Sequence, residues 1–356
     1  MGGLRRASLA ALGLVAAALA LEAVLRLRGG PPAVAHPLHA FHQSDPLLGW
    51  SGAPGLRRRF VRPAFDVLVV HDADGFRRPE PPPPAEARER LLVLGDSLVW
   101  GWGVAQGELF TDRLQRALAP RVAVVNRGVN AYSTSQELLL LERELARGSW
   151  SRVLLFFTPG DLAENLDGKR GRRPLFALEN GRLVPRNQPP APLIGRWRRL
   201  LKDSSRAYLW LELHANRARE ALAAAVRSER GGAPPAAEGL EDARAVPGAE
   251  LCARLLAEMA QRAGAAGAAF HVVYVPSDGE LGAAPPDPLA EAAHALLARL
   301  AASEGLPLLD LSATLAARAG DRGLRFAADD HPDARGHRLI AEALLGVPPL
   351  AAAGPR

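Results

Sequence analysis

The sequence predicts a three-layer α/β/α sandwich built on a parallel sheet, preceded by an apolar amino-terminal helix. Five short runs carry the first part of that prediction: Leu91–Leu94, Val122–Val125, Val153–Phe157, Phe270–Val275 and Leu306–Leu311. Each is apolar at consecutive positions. Strands of a parallel sheet read this way because helices bury both of their faces. Helical patterns over about 107–118, 135–147, 249–264, 287–303 and 333–345 alternate with these runs. Strand and helix in alternation build a parallel sheet with crossover helices. The third observation is the unbroken apolar stretch at 7–25.

That stretch, interrupted only by Glu22, is preceded by Arg5 and Arg6 and followed by Arg26 and Arg28. As a helix it reaches about 28 Å, close to the thickness of a bilayer core. It is expected to anchor the chain in a membrane as a transmembrane helix, with the carboxy-terminal domain extracytoplasmic. The alternatives are a cleaved secretory signal, with small residues at Ala18-Leu19-Ala20, or a buried amino-terminal helix. Residues 29–46, rich in Gly, Pro and His, read as a stalk. Residues 47–80 suggest short strands, with Val67–Val70 and the turn Asp74-Gly75-Phe76, and the proline run at 79–84 marks a domain boundary. The expected organisation is an anchor or signal at 1–28, a stalk and small accessory segment at 29–88, an α/β domain at 89–346 and a tail at 347–356.

Residues 166–248 interrupt the rhythm. Asn180-Gly181 between two apolar runs predicts a hairpin. Residues 194–227 carry apolar positions at helical spacing amid arginines, and 228–248 read as a loop. The insertion is expected to be either a lid or a decoration without a role.

Composition excludes several classes. Apolar residues make up 48% and charged residues 23%, which is globular rather than disordered or multi-span. A single cysteine, Cys252, excludes an internal disulfide framework and a multi-cysteine zinc site. The net charge of +6 comes from scattered arginines, Lys169 and Lys202 being the only lysines. That pattern suits a solvated surface and no nucleic-acid partner. With no phosphate-binding glycine loop and no metal-ligand cluster, no cofactor and no metal are expected.

Ligand sites in parallel sheets lie at the carboxyl ends of the strands. After the first strand stands Gly95-Asp96-Ser97, a tight turn that opens a helix on a serine. Such a turn holds a hydroxyl over the sheet edge, where free backbone N–H groups can stabilise negative charge. After the last strand stands Asp329-Asp330-His331-Pro332. A carboxylate two residues before a histidine can orient an imidazole that takes the serine proton. The candidate catalytic residues are therefore Ser97, Asp329 and His331. Trp100 and Trp102 read as core packing rather than pocket lining, Asp96 as a partner within its own turn, and Cys252 as buried and inert. His337 reads as structural, and Asp310 as a possible support for the loops.

The ordered blocks resemble the SGNH, or GDSL, hydrolase family over residues 90–346. The resemblance lies in Gly95-Asp96-Ser97, in Asn126–Ser133, and in Asp330-His331-Pro332-Asp333-Ala334-Arg335-Gly336-His337. The 47–80 segment is also similar to the region before the core in membrane-anchored bacterial relatives. The resemblance implies a flavodoxin-like sandwich and an acyl-serine intermediate, with Ser97 and Gly128 N–H groups in the oxyanion hole. One block departs: where the family has Gly-Asn-Asp, this chain has Pro159-Gly160-Asp161, so Gly160 stands where a side-chain donor is expected. Losing one oxyanion donor costs about 2.7–4 kcal/mol. The Gly160 N–H, Thr158 or Asn130 are the candidate substitutes. The implied function is a serine esterase acting on a small-molecule or glycan ester, with an acetyl group as an example. The alternatives are an extracytoplasmic polysaccharide O-acyltransferase and a non-catalytic carbohydrate-binding relative.

Overall fold

A computed structural model describes residues 2–28, 41–168, 172–186, 201, 205–208, 210–211, 214–215, 247–327, 329–348 and 350. Residues 29–40 of the stalk expected over 29–46, most of 187–246 and the last six residues lie outside the described residues, including nearly all of the expected lid helices, while 42–45 of that stalk form a strand. The chain divides into two compact units, residues 1–40 with 192–238, and residues 41–191 with 239–356.

In the first unit, α1 (Gly2–Leu27) is one helix whose side chains at 12–20 are all exposed. Among the described residues no helix is long and apolar enough to cross a membrane, so the transmembrane helix expected over 7–25 is not found. Glu22 is the polar interruption. It pairs with Arg26 at 2.6 Å and accepts hydrogen bonds from Ser205 Oγ at 3.0 Å and Ala207 N–H at 2.8 Å. A carboxylate engaged in this way is costly to place in hydrocarbon.

The second unit opens with two hairpins, β1 (His42–Asp45) with β2 (Gly49–Gly52) and β3 (Arg57–Arg62) with β4 (Phe65–Val70). These segments were expected to form part of an accessory piece. Instead they belong to the same unit as the sheet. Phe41, Phe60 and Phe65 are buried there, and Trp50 and Tyr132 meet edge-on at 5.8 Å.

The rest alternates as predicted: β5 (Glu89–Leu94), the single turn α2 (Ser97–Trp100), α3 (Phe110–Leu118), β6 (Val122–Asn126), α4 (Thr134–Arg147), β7 (Arg152–Phe157) and the short α5 (Gly160–Glu164). The hairpin β8 (Phe176–Glu179) and β9 (Arg182–Pro185) turns on Asn180 and Gly181, both at positive φ. Then follow α6 (Ala249–Ala265), β10 (Ala269–Tyr274), α7 (Pro288–Glu304), β11 (Leu308–Asp310), α8 (Ser312–Ala319), the small hairpin β12 (Arg325–Phe326) with β13 (Asp329–Pro332), and α9 (Ala334–Leu345). α8 and the β12–β13 hairpin lie outside the expected elements, the hairpin's strands being too short for a periodic signal.

The parallel sheet runs β11-β10-β7-β5-β6. Leu91 and Val93 face α3, α8 and α9, packing with Leu114, Leu315 and Ile340. Leu92 and Leu94 are equally buried on the opposite face, where α4, α6 and α7 pack in series. Chain order reverses beside β5, so the carboxyl ends of β5 and β7 form the switch point at which such sheets place their sites.

Candidate active site

The nucleophile turn sits at that switch point. A Cβ on Gly95 would lie 2.3 Å from Val99 Cγ2, so only glycine lets the turn close onto α2. Asp96 caps the helix, its Oδ1 accepting from Leu98 N–H at 2.9 Å. Gly101 ends the turn in the left-handed region (φ 81°), with its N–H on Ser97 O at 3.0 Å. Arg77, buried, donates to Trp100 O, Gly101 O and Val104 O at 3.0–3.2 Å and to Gln106 Oε1, and so fixes the chain that leaves the nucleophile. Burial lowers its pKa to about 10, and it stays charged at neutral pH.

The histidine arrives on β13. This strand pairs with β12, whose Arg325 is held by Asp278 at 2.9 Å, and Asp333 caps the following α9. The three predicted residues meet: Ser97 Oγ lies 2.8 Å from His331 Nε2, and His331 Nδ1 lies 2.5 Å from Asp329 Oδ1. With Asp329 ionised, Nδ1 carries the proton and Nε2 is left to accept from the serine hydroxyl. Burial pushes the Asp329 carboxyl up. The hydrogen bonds from His331 and Trp102 outweigh it and hold the group below the usual carboxylate range.

Trp102 does more than the core packing expected of it. Its Nε1–H donates to Asp329 Oδ2 at 3.0 Å, and its ring stacks on His331 with centroids 4.7 Å apart. Trp100, by contrast, is core, packed with Phe41 and Phe60. Nothing in the local pattern separates two tryptophans two residues apart. The α2 turn sends them to different faces.

Of the expected oxyanion donors, Gly128 packs against the backbone of Val99 and Trp100, but its N–H is already donated to Asn126 Oδ1 at 2.8 Å. The geometry therefore does not support the oxyanion role expected of Gly128. Asn126 also donates to Val99 O and Thr111 Oγ1, tying the loop after β6 to α2. A polar residue closing an apolar strand was the one available signal for it. Thr158 is committed as well, its hydroxyl to Asp96 and Asp161 and its N–H to Asp161. Gly160 opens α5, and among the described residues Thr158 Oγ1 at 3.9 Å is the one neighbour a Cβ would meet.

Behind the nucleophile, Asp96, Asp161 and Glu137 are closely grouped carboxylates. Burial, then the Asp96 charge, raises Asp161 to about 7, and burial raises Asp96 as well. Glu137 is fully buried with neither oxygen hydrogen-bonded among the described residues, and burial pushes it well above the carboxylate range. His337 is fully buried, accepting Phe110 N–H at 3.0 Å, as its structural reading implies. Cys252 is buried, and burial raises its thiol to about 12, far from a reactive thiolate. Asp310 lies in a separate cluster with His294 and Glu280. No group of residues suited to a metal ion occurs among the described residues.

Fold and site together define an α/β protein with an assembled serine–histidine–aspartate triad at its switch point. No protein-family model matches the sequence, and no curated protein is similar to it. Several solved structures are similar to it. TesA has 18% identity and a TM-score of 0.41, with 72% of this chain and 96% of that one covered. A lipolytic protein of the G-D-S-L family from Veillonella parvula has 16% identity and a TM-score of 0.41, with 73% and 97% covered. The esterase EstA from Pseudoalteromonas has 13% identity and a TM-score of 0.38, with 72% and 94% covered. At such values the reading of the site rests on its own geometry.

Proposed function

We propose that the protein is a serine esterase of the SGNH type. The observation that carries this is the continuous hydrogen-bonded line from Ser97 Oγ through His331 to Asp329, at 2.8 and 2.5 Å. Ser97 attacks the ester carbonyl while His331 Nε2 takes its proton. The imidazolium, held by Asp329, returns that proton to the leaving alcohol. Water then enters by the reverse path and frees the acid. The Ser97 N–H at the start of α2 is one oxyanion donor in this reading.

Asn130 is the second. It follows Val129, whose N–H is bonded to Gly95 O at 3.0 Å, so the loop runs beside the nucleophile turn. Thr158 and Gly128 are committed elsewhere, whereas no hydrogen bond of the Asn130 side chain is formed among the described residues. A small acyl group such as acetyl, on a carbohydrate or lipid, remains the proposed substrate class. The proposed setting is extracytoplasmic, supported by the arginine-flanked apolar amino terminus.

The test uses the full chain, a serine-reactive fluorophosphonate and a short-chain aryl acetate. Labelling and turnover are expected in the wild type, with a loss of about 10³-fold or more in Ser97→Ala and in His331→Ala. Folded protein that is neither labelled nor active would return the site to the non-catalytic reading that Gly160 suggests.

A further inference from the structure

Arg62 closes β3 at the hairpin turn, with its side chain half-buried. Its guanidinium carbon lies 5.6 Å from the Phe60 ring centre and 5.8 Å from that of Trp102. Trp102 in turn stacks on His331 and holds Asp329. The arginine thus stands one aromatic ring away from the catalytic imidazole.

Other arginines near this end of the sheet are committed: Arg59 to Asp66, Arg127 to Glu144, Arg325 to Asp278, and Arg77 to the carbonyls after α2. Arg62 makes no hydrogen bond or ion pair among the described residues, and its Nε is buried without a partner. Asp329 is close enough to act on it electrostatically, but the two Asp329 oxygens are taken by His331 and Trp102.

Two costs follow. A partly desolvated cation without a partner is destabilising. A fixed positive charge near His331 also opposes the imidazolium that forms when the serine proton is taken. An anion bound to Arg62 supplies the missing acceptor and offsets the positive charge beside the imidazolium, against some repulsion from Asp329, so it favours binding and the transition state together. The planar guanidinium fork can take a planar carboxylate through two parallel hydrogen bonds, and a single negative charge is repelled less by the nearby Asp329 than a dianion would be.

We propose that Arg62, with Phe60 and Trp102, forms a carboxylate subsite beside the triad, and that the ester taken by the enzyme carries a carboxylate on its acyl or its alcohol part. The substrate assignment rests on the serine-esterase reading.

The experiment compares kcat/KM for two matched pairs on the full chain. An aryl hemisuccinate against an aryl butyrate tests the acyl side. An acetylated methyl glucuronoside against the acetylated methyl glucoside tests the alcohol side. One of the two anionic-to-neutral ratios is expected to fall at least about tenfold in Arg62→Gln. It should be largely kept in Arg62→Lys and shrink with added salt. Ratios that are the same in wild type and Arg62→Gln overturn the subsite while leaving the esterase reading intact. If the wild type turns over none of these esters, calorimetry with succinate and glucuronate decides. Saturable binding that Arg62→Gln loses upholds the subsite, no binding overturns it, and fluorophosphonate labelling of Ser97 decides the esterase reading separately.

Discussion

Trp102 lies flat against His331, with planes 17° apart and centroids 4.7 Å apart, while its indole N–H reaches past the imidazole to the second oxygen of Asp329. One side chain therefore sets both the tilt of the base and the direction of the carboxylate that orients it. The arrangement makes Trp102 a positioning residue, acting through two members of the triad.

Trp102→Phe keeps a ring against His331 and removes the hydrogen bond. A hydrogen bond to a charged group contributes about 1.5–3 kcal/mol, so a fall in kcat of roughly tenfold or more is expected. A double-mutant cycle with Asp329→Asn separates this from a packing effect. If the indole acts through Asp329, Trp102→Phe should cost much less in an Asp329→Asn background than in the wild type. Costs that simply add would reduce Trp102 to packing.

Gly160→Asn is expected to raise activity. The position has space, since among the described residues the nearest atom to a built Cβ is 3.9 Å away, and its backbone is not in the left-handed region. One oxyanion donor is typically worth about 10²–10³ in rate. If Asn130 already supplies that donor, Asn130→Ala should cost a similar factor, and Gly160→Asn should restore part of it. Steady-state kinetics of the two single variants and the double variant measure the coupling. An Asn130→Ala enzyme with wild-type kcat would exclude that residue from the oxyanion site.

Glu137 predicts a pH dependence of stability. Its folded pKa is raised well above the ordinary value by burial and by the Asp161 and Asp96 charges. The native state therefore holds a proton that the unfolded chain releases near pH 4.3. Its contribution is intact below that pH and declines as pH rises toward the folded pKa. Glu137→Gln cannot titrate. Thermal melts should show the variant gaining on the wild type as pH is raised from about 5 to 8. Parallel curves would mean that Glu137 is not protonated in the fold.

Arg77→Met should unfold early. The side chain is buried and anchors three carbonyls and Gln106. Its loss leaves those acceptors without partners, at a cost of about 3 kcal/mol or more. Chemical denaturation measures this directly. A shift under about 1 kcal/mol would show that water replaces the guanidinium.

Much of this was legible in the sequence. The five apolar runs became the five sheet strands because burial on both faces leaves no alternation to misread. Asn180-Gly181 became a hairpin because both residues tolerate positive φ. Ser97, Asp329 and His331 could be named because each sits in a local pattern of turn, strand end or helix start that reflects its own backbone. The oxyanion donors could not be assigned this way. An N–H in a loop looks the same whether it is free or, as at Gly128, already taken by Asn126.

What the sequence by itself determined is the order of the strands along the chain, their burial and which serine, histidine and aspartate would come together, all set by local pattern. Only the tertiary structure decided what stands around them. Trp102 on His331, Arg77 under the nucleophile turn, Arg62 beside the stack, and the hairpins of 41–70 as part of the α/β unit all join residues distant in sequence. Such pairings leave no periodic trace, because their energy arises only once separate elements have packed together.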